Sequence, residues 1–182
     1  NPYQMDVNYR GFSASPLLGT PQGLSVFQDG VRINEPFGDV VNWDLIPEFA
    51  MRSISFVPGA NPAFGLNTLG GAISMTTATG ASAPGVQGEL SYGSFGRKKL
   101  ELSHGGSHAS GLSHFIGVGL FDERGWRDHS DGRLGTLFGK LSHVGDAGEL
   151  SASVLLGKSR LVGNGLVPFY TFDEEGVLTP DI

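Results

Sequence analysis

The sequence predicts an α+β unit made mostly of short β-strands, followed by a run of antiparallel strands with two chemically different faces. Three observations carry that expectation. Before residue 80 the apolar runs are too brief for most helices and are separated by Asp-Gly, Pro-Gly and Gly-Gly. After about residue 83 apolar and polar residues alternate with period two. Glycine supplies 29 of the 182 residues, about twice its ordinary ~7% and without a collagen period, so turns and close backbone contacts are frequent.

In the first half, Leu24 to Phe27 and Val31 to Ile33 flank Gln28-Asp29-Gly30. Asp-Gly between β-prone runs is a hairpin signal, because a type I′ turn needs positive φ at both central residues. Asp44 to Met51 permits one short helical turn with Asp44 as its N-cap. Ser53-Ile54-Ser55-Phe56-Val57 alternates and stops at Pro58-Gly59, and Gly71 to Thr77 reads as a further strand.

Ala81 to Ala83 is a small-residue linker, after which the pattern changes. Val86, Leu90 and Tyr92 oppose Gln87, Glu89 and Ser91, and Leu100 and Leu102 oppose Lys99, Glu101 and Ser103. Leu112, Ile116, Val118 and Leu120 share one parity, as do Leu150, Ala152, Val154 and Leu156. Leu134 to His143 is less regular, with Leu137 and Leu141 on one face and Phe138 and Lys140 on the other. Five consecutive strands of this kind suit either a soluble sandwich or the opening of a transmembrane barrel, and periodicity alone does not separate the two. Five cannot close a transmembrane barrel, since the smallest have about eight.

Composition narrows the function. The net charge is −6, and the basic residues form no cluster beyond Arg97, Lys98 and Lys99, which disfavours nucleic acid. Without cysteine there is no disulfide scaffold, thiolate metal site or cysteine nucleophile. No stretch offers the ~20 apolar residues of a membrane-spanning helix. The start lacks an initiator Met and a signal-peptide pattern, so Asn1 reads as a cut or processed end. Gly-x-Ser-x-Gly, dinucleotide, phosphate-loop and His-Glu-x-x-His motifs are absent, so the sequence predicts no enzyme and no cofactor. His104, His108 and His114 straddle a Gly-Ser turn, and strand parity is expected to separate them, so no metal is assigned. Asp122, Glu123, Asp128 and Asp131 could hold calcium but read more simply as a solvated loop.

The order of motifs in the first half resembles the plug of TonB-dependent outer-membrane receptors. Arg10-Gly11-Phe12 is similar to the family's early Arg-Gly motif, and Phe27-Gln28-Asp29-Gly30-Val31 to its hydrophobic-x-Asp-Gly-Val hairpin. Trp43-Asp44-Leu45-Ile46-Pro47, Arg52-Ser53-Ile54 and Pro58-Gly59 stand where the family has Ile-Pro, Arg-Ile-Glu-Val and Arg-Gly-Pro. Phe64-Gly65 through Gly70-Gly71-Ala72-Ile73 matches the closing aromatic-Gly-x-x-x-x-Gly-Gly-x-Ile pattern. The ordered set is specific where each piece alone is weak. Past the plug, Tyr92-Gly93-Ser94-Phe95-Gly96 and Gly125 to Ser130 look less specifically like the first barrel hairpin and second outer loop.

The resemblance implies a plug over residues 1–79 and the first about five strands of a plugged barrel of about 22 strands over residues 80–182. It implies TonB-dependent active transport, across the outer membrane of a Gram-negative cell, of a scarce ligand such as a ferric siderophore, haem or cobalamin. The partners would be that ligand, outer-membrane lipid, and TonB with its inner-membrane energising complex. Ligand contacts are expected on the two plug loops Ser13 to Thr20 and Asn34 to Trp43, with Leu17, Leu18, Asn34, Glu35, Phe37 and Trp43 as candidates. Arg10 is the expected plug-to-barrel contact, because Ser55 and Pro58 replace the family's Glu and Arg. Gly11, Gly30, Gly65, Gly70 and Gly71 are expected to be structural. Residues 93–97, 121–133 and the tail from Ser159 are expected outside the cell, residues 104–111 and 143–148 on the periplasmic side, and Leu90, Leu100, Leu102, Ile116, Val118 and Val154 against lipid. A β-rich secreted or surface adhesion module is the rival reading, and it leaves the ordered plug motifs unexplained.

Overall fold

The computed structural model describes residues 3–146, 148–163, 170–172 and 178–180. A first hairpin joins β1 (Val7–Tyr9) to β2 (Phe12–Ala14) through Arg10 and Gly11, which both take positive φ. β3 (Leu24–Gln28), β4 (Val31–Arg32), β5 (Met51–Pro58) and β6 (Gly71–Thr77) then form a mixed sheet in the order β4-β3-β6-β5. Its β3–β4 turn is the two-residue one that Asp-Gly calls for: Gln28 pairs with Val31, and φ is 49° at Asp29 and 81° at Gly30. β3 and β6 run parallel, with Val26 opposite Ile73.

The helical turn expected at Asp44 to Met51 is two 3-10 turns, Trp43–Leu45 and Glu48–Ala50, separated by Pro47. Asn42, not Asp44, occupies the cap position, without a side-chain cap bond. Proline cannot continue the helical ladder, which keeps both pieces short. The chain from β4 back to β5 thereby packs Trp43 into this sheet's core and turns Phe49 and Ala50 toward the strands that follow.

The second sheet is a meander in the order β11-β10-β9-β8-β7, comprising β7 (Gly85–Tyr92), β8 (Lys98–Ser107), β9 (Leu112–Glu123), β10 (Gly132–Gly145) and β11 (Gly148–Leu161). These are the five strands read from alternation, longer by a few residues. A small separate hairpin, β12 (Tyr170–Phe172) with β13 (Leu178–Pro180), was not foreseen. Most of the tail expected outside the cell lies outside the described residues.

Register sorts the meander into two faces. Leu102 pairs with Gly88 and Val118, Val118 with Leu137, and Leu137 with Leu156, so one row of mostly branched apolar side chains crosses all five strands. Val86, Leu90, Leu100, Ile116, Leu120, Leu141 and Val154 share that face and are exposed. The opposite face carries Ser103, Ser113, Phe115, Thr136, Phe138, Lys140 and Ser142, all buried. They are covered by the first sheet's 3-10 turns and by the exit of β6: Ala50, Ala78, Phe115 and Phe138 form one cluster, with Phe49 and Leu155 against it.

Phe49 shows why glycine recurs on the covered face. A Cβ at Gly117 or Gly119 would stand 2.5 or 3.1 Å from the Phe49 ring, so the two glycines form the notch that admits the aromatic. The first sheet has its own core of Ala14, Leu24, Val26, Val41, Trp43, Ile73 and Met75. Of the five glycines expected to be structural, Gly11, Gly30, Gly65 and Gly71 have positive φ, while Gly70 lies where a Cβ would meet Phe12 and Leu24.

Candidate functional site

Three loops converge at the end of the first sheet opposite the Asp29-Gly30 turn: residues 15–23, 33–42 and 59–70. Each is braced by polar side chains from within. In the first, the Gln22 carboxamide accepts from Ser15 N at 3.0 Å and donates to Ser15 O at 3.1 Å and Thr20 Oγ1 at 2.8 Å. In the second, Asn34 Oδ1 accepts from Val26 N at 2.7 Å, and Nδ2 donates to Leu24 O and Asp39 O, both at 3.1 Å. Asn34 thus continues the edge of β3 where β4 has ended. Asp39, held at positive φ, accepts from Arg32 at 2.9 Å and from Asn67 of the third loop at 2.6 Å. That carboxylate ties two loops together.

Between the loops lies an open cleft of about 780 Å³ lined by Thr20, Gln22, Arg32, Glu35, Asp39 and Asn67, with Leu66 at its edge. The same loops expose apolar side chains: Leu17, Leu18, Phe37 at 79% and Leu66 at 86%. Leu18 lies against Gly38, where a Cβ would meet its Cδ2, so the first two loops touch. Exposed apolar side chains beside a polar, hydrogen-bonding floor suit an amphipathic small molecule.

The expected site residues divide. Glu35 lines the cleft, and Leu17, Leu18 and Phe37 are exposed on the loops that form it. Asn34 lines it too, yet its amide is spent on bracing the loop, as is the Glu35 carboxylate in part, which accepts from Asn42 at 2.9 Å. Trp43 is a correction: it is 7% exposed in the core, with its indole N–H donating to Ala14 O at 2.9 Å. The third loop was missed altogether. Its signal was Asn67-Thr68 before the Gly-Gly pair, polar residues that fold back on Asp39, Phe64 and Gly65.

Arg10, the expected plug-to-barrel contact, meets no strand of the second sheet among the described residues. It is exposed, and its guanidinium lies 5.2 Å from the Tyr9 ring. A charged contact between the sheets runs through Asp29 and Lys140. Lys140 Nζ is 3.1 Å from Asp29 Oδ2 and donates to Thr77 Oγ1 at 3.0 Å, while Thr77 N donates to Asp29 Oδ1 at 2.9 Å. Burial favours the neutral acid, but the Thr77 bonds and then Lys140 outweigh it and hold Asp29 below its ordinary pKa. A weaker inter-sheet pair joins Lys99 to Glu48 at 3.6 Å.

The histidines also differ from expectation. Gly106 pairs with His114 and His104 with Ile116, so even-numbered residues of β8 and β9 share a face, and His104 Nδ1 lies 3.3 Å from His114 Nε2. Among the described residues no three His, Cys, Asp or Glu side chains come together as a metal site. Of the acidic loop, Glu123 pairs with Arg97 at 3.0 Å and Asp122 with Arg133 at 3.5 Å.

No family model matches the chain. Among solved structures it is similar to the siderophore receptor PiuA of Acinetobacter baumannii, with 16% identity, TM-score 0.59, and 78% of this chain against 18% of that one. It is similar to the pyoverdine outer-membrane receptor FpvA of Pseudomonas aeruginosa PAO1, solved with pyoverdine bound, at 18% identity and TM-score 0.64 over 96% of this chain and 25% of that one. For the ferric citrate transporter FecA, solved unliganded, the values are 18%, 0.56, 82% and 25%. The chain therefore spans about a fifth to a quarter of the receptors that it matches. At such identities the likeness is one of fold: the chain has the fold of part of a TonB-dependent siderophore receptor.

Proposed function

We propose that this chain is the plug, residues 1–79, and the first wall strands, residues 80–182, of an outer-membrane transporter that takes up a scarce extracellular ligand with energy delivered through TonB. The observation that carries the reading is the two-faced meander: an uncharged apolar band on the face turned away from the first sheet, and polar residues interleaved with buried phenylalanines on the face turned toward it. A soluble protein rarely leaves so large an apolar surface uncovered, whereas alternating lipid-facing and lumen-facing residues are what a membrane wall requires. Ile54, Phe56 and Val57 on the edge strand β5, whose one charge is Arg52 near its start, are likewise exposed, as suits a plug enclosed by further wall.

On this reading the cleft between the three plug loops receives the ligand from outside, Asp29 and Lys140 hold the plug to the wall, and the proton-driven inner-membrane complex pulls the plug through TonB to open a path. No bond in the ligand is made or broken. Ferric siderophores, haem and cobalamin are the ligand classes to test first. The full-length gene is expressed in a strain lacking its own receptors, with and without functional TonB, and uptake of a labelled panel of these compounds is followed. Accumulation of one compound that requires both the gene and TonB is the expected result. Accumulation that is indifferent to TonB, or surface binding without entry, would sink the transport reading.

A further inference from the structure

The apolar band of the meander ends abruptly at the hairpin tips 93–97 and 124–131. One cross-strand row there reads Tyr92, Lys98, Asp122, Arg133 and Arg160, each residue paired with the next. The row below it reads Leu90, Leu100, Leu120, Gly135 and Lys158. All lie on the outward face, so four cations and one carboxylate cap the apolar rows. Every other carboxylate within β7 to β11, namely Glu89, Glu101, Glu123 and Glu149, has the opposite parity. Asp122 is bound to Arg133 at 3.5 Å, and Lys98, Lys158 and Arg160 form no ion pair among the described residues. The other end of the same face carries His104, His114 and His143 and no Lys or Arg.

These cations line an open groove of about 760 Å³ whose floor includes Leu90, Leu100 and Leu120. From Lys98 on β8 to Arg160 on β11 spans three strand spacings, roughly 14 Å. A free anion would use the charges but not the leucines. A zwitterionic lipid would use the leucines and leave a formal excess of three positive charges without a partner. An amphiphile with several phosphates above acyl chains uses both.

We propose that the outward faces of β8, β10 and β11 bind the phosphorylated head of a glycolipid of the outer leaflet, with its acyl chains on the leucine rows beneath. The site rests on the outer-membrane reading above and deepens it, since it assigns the 93–97 end of the wall to the leaflet that carries phosphorylated saccharide lipids. Lys98, Lys158 and Arg160 meet phosphate; Arg133, steadied by Asp122, lies between them.

The test uses the full-length protein in nonionic detergent, titrated with bisphosphorylated lipid A and followed by native mass spectrometry. The Lys98→Gln, Lys158→Gln, Arg160→Gln triple variant should bind on the order of a hundredfold more weakly, with each single change costing about fivefold. Lys98→Arg with Lys158→Arg should bind as the parent does. Unchanged affinity in the triple variant overturns the proposal, as does equal retention of enzymatically dephosphorylated lipid A, which would reduce the cations to unspecific anchors at the membrane surface. Full displacement by millimolar inorganic phosphate overturns it too, in favour of a free-anion site. Should the triple variant misfold, the single variants decide. Heat-modifiable gel migration and outer-membrane fractionation of the parent protein are scored separately: their failure sinks the transporter reading, whereas unchanged lipid affinity in an intact barrel sinks only the lipid site.

Discussion

At the scale of single residues, Asp29 has the largest consequences. It occupies the first position of a two-residue turn with φ of 49°, a conformation that Asp tolerates because its short side chain bonds locally. The same geometry aims the carboxylate at Thr77 and at buried Lys140. Asp29→Asn keeps the turn and can still accept from Thr77 N–H, but leaves an ammonium buried without its counter-charge. A loss of about 1.5–3 kcal/mol is expected, and Asp29→Asn with Lys140→Met should be less destabilised than Asp29→Asn alone. Denaturant unfolding followed by Trp fluorescence measures both. The pH dependence has a definite sign. Because the folded-state pKa is lowered from 3.8, the stabilisation is complete above that value and fades as pH falls through the lowered one. The gap between parent and Asp29→Asn should therefore be constant near neutrality and narrow below pH 3.8. A gap that persists in strong acid would refute the pairing.

At the scale of elements, the strands were legible in the sequence because period two survives wherever one face is uniform. The Leu and Val rows of β8, β9 and β11 announce themselves, and β3, β4 and β6 are bounded by Asp-Gly and Gly-Gly. β10 was harder because Phe138 and Lys140 sit on the covered face: the phenylalanine fills space between sheets and the lysine answers Asp29, needs that alternation cannot reveal. Trp43 was misplaced for a related reason, since which aromatic is core depends on contacts between elements distant in sequence. The histidine pair, by contrast, was recoverable in principle, because antiparallel partners in β8 and β9 sum to an even number. Two element-level predictions follow from the faces. If the apolar band faces lipid as proposed, Leu102→Arg should cost about 2–4 kcal/mol, while Gln87→Arg, on the other face of β7 and exposed, should cost far less. Ser103 is no such mild control, being buried opposite the Gly117 notch. Gly117→Val should in turn expel Phe49 and loosen the first sheet from the wall, read as faster protease cleavage in residues 44–50 with the barrel's heat-modifiable migration retained. Equal cleavage would mean that the notch does not hold the plug.

At the scale of the whole molecule, the loops at the far end of the first sheet and the orientation of the meander must agree. The exit of β6 leads through residues 78–84 to the start of β7, and Gly80 packs beside Gly106 and His114, so the 104–114 end of the meander lies beside the Asp29-Gly30 end of the first sheet. The cleft therefore faces the same way as hairpins 93–97 and 124–131. If that direction is outward, a membrane-impermeant thiol reagent on whole cells reaches Cys introduced for Asp128 and not for His108; the reverse pattern inverts the assignment and leaves the cleft facing the periplasm. Given the outward arrangement, ligand affinity should depend on the exposed apolar side chains and on the braces in different ways. Phe37 and Leu66 offer exposed apolar surface that no internal contact needs, so Phe37→Ala with Leu66→Ala should raise Kd about tenfold or more while leaving the loops ordered, as burial of one such side chain is worth roughly 1.5–3 kcal/mol. Asp39→Asn acts through the loops, since it loses the charge pair with Arg32 and unties Asn67 from the second loop. It should raise Kd and also increase amide hydrogen exchange across residues 33–42 and 61–68 in the unliganded protein, a change that the Phe37 and Leu66 variant lacks. Titrating full-length protein with the compound that the uptake panel identifies, alongside exchange on the unliganded protein, separates the two effects. Unchanged affinity in both variants would move the ligand off the plug cleft and onto the wall.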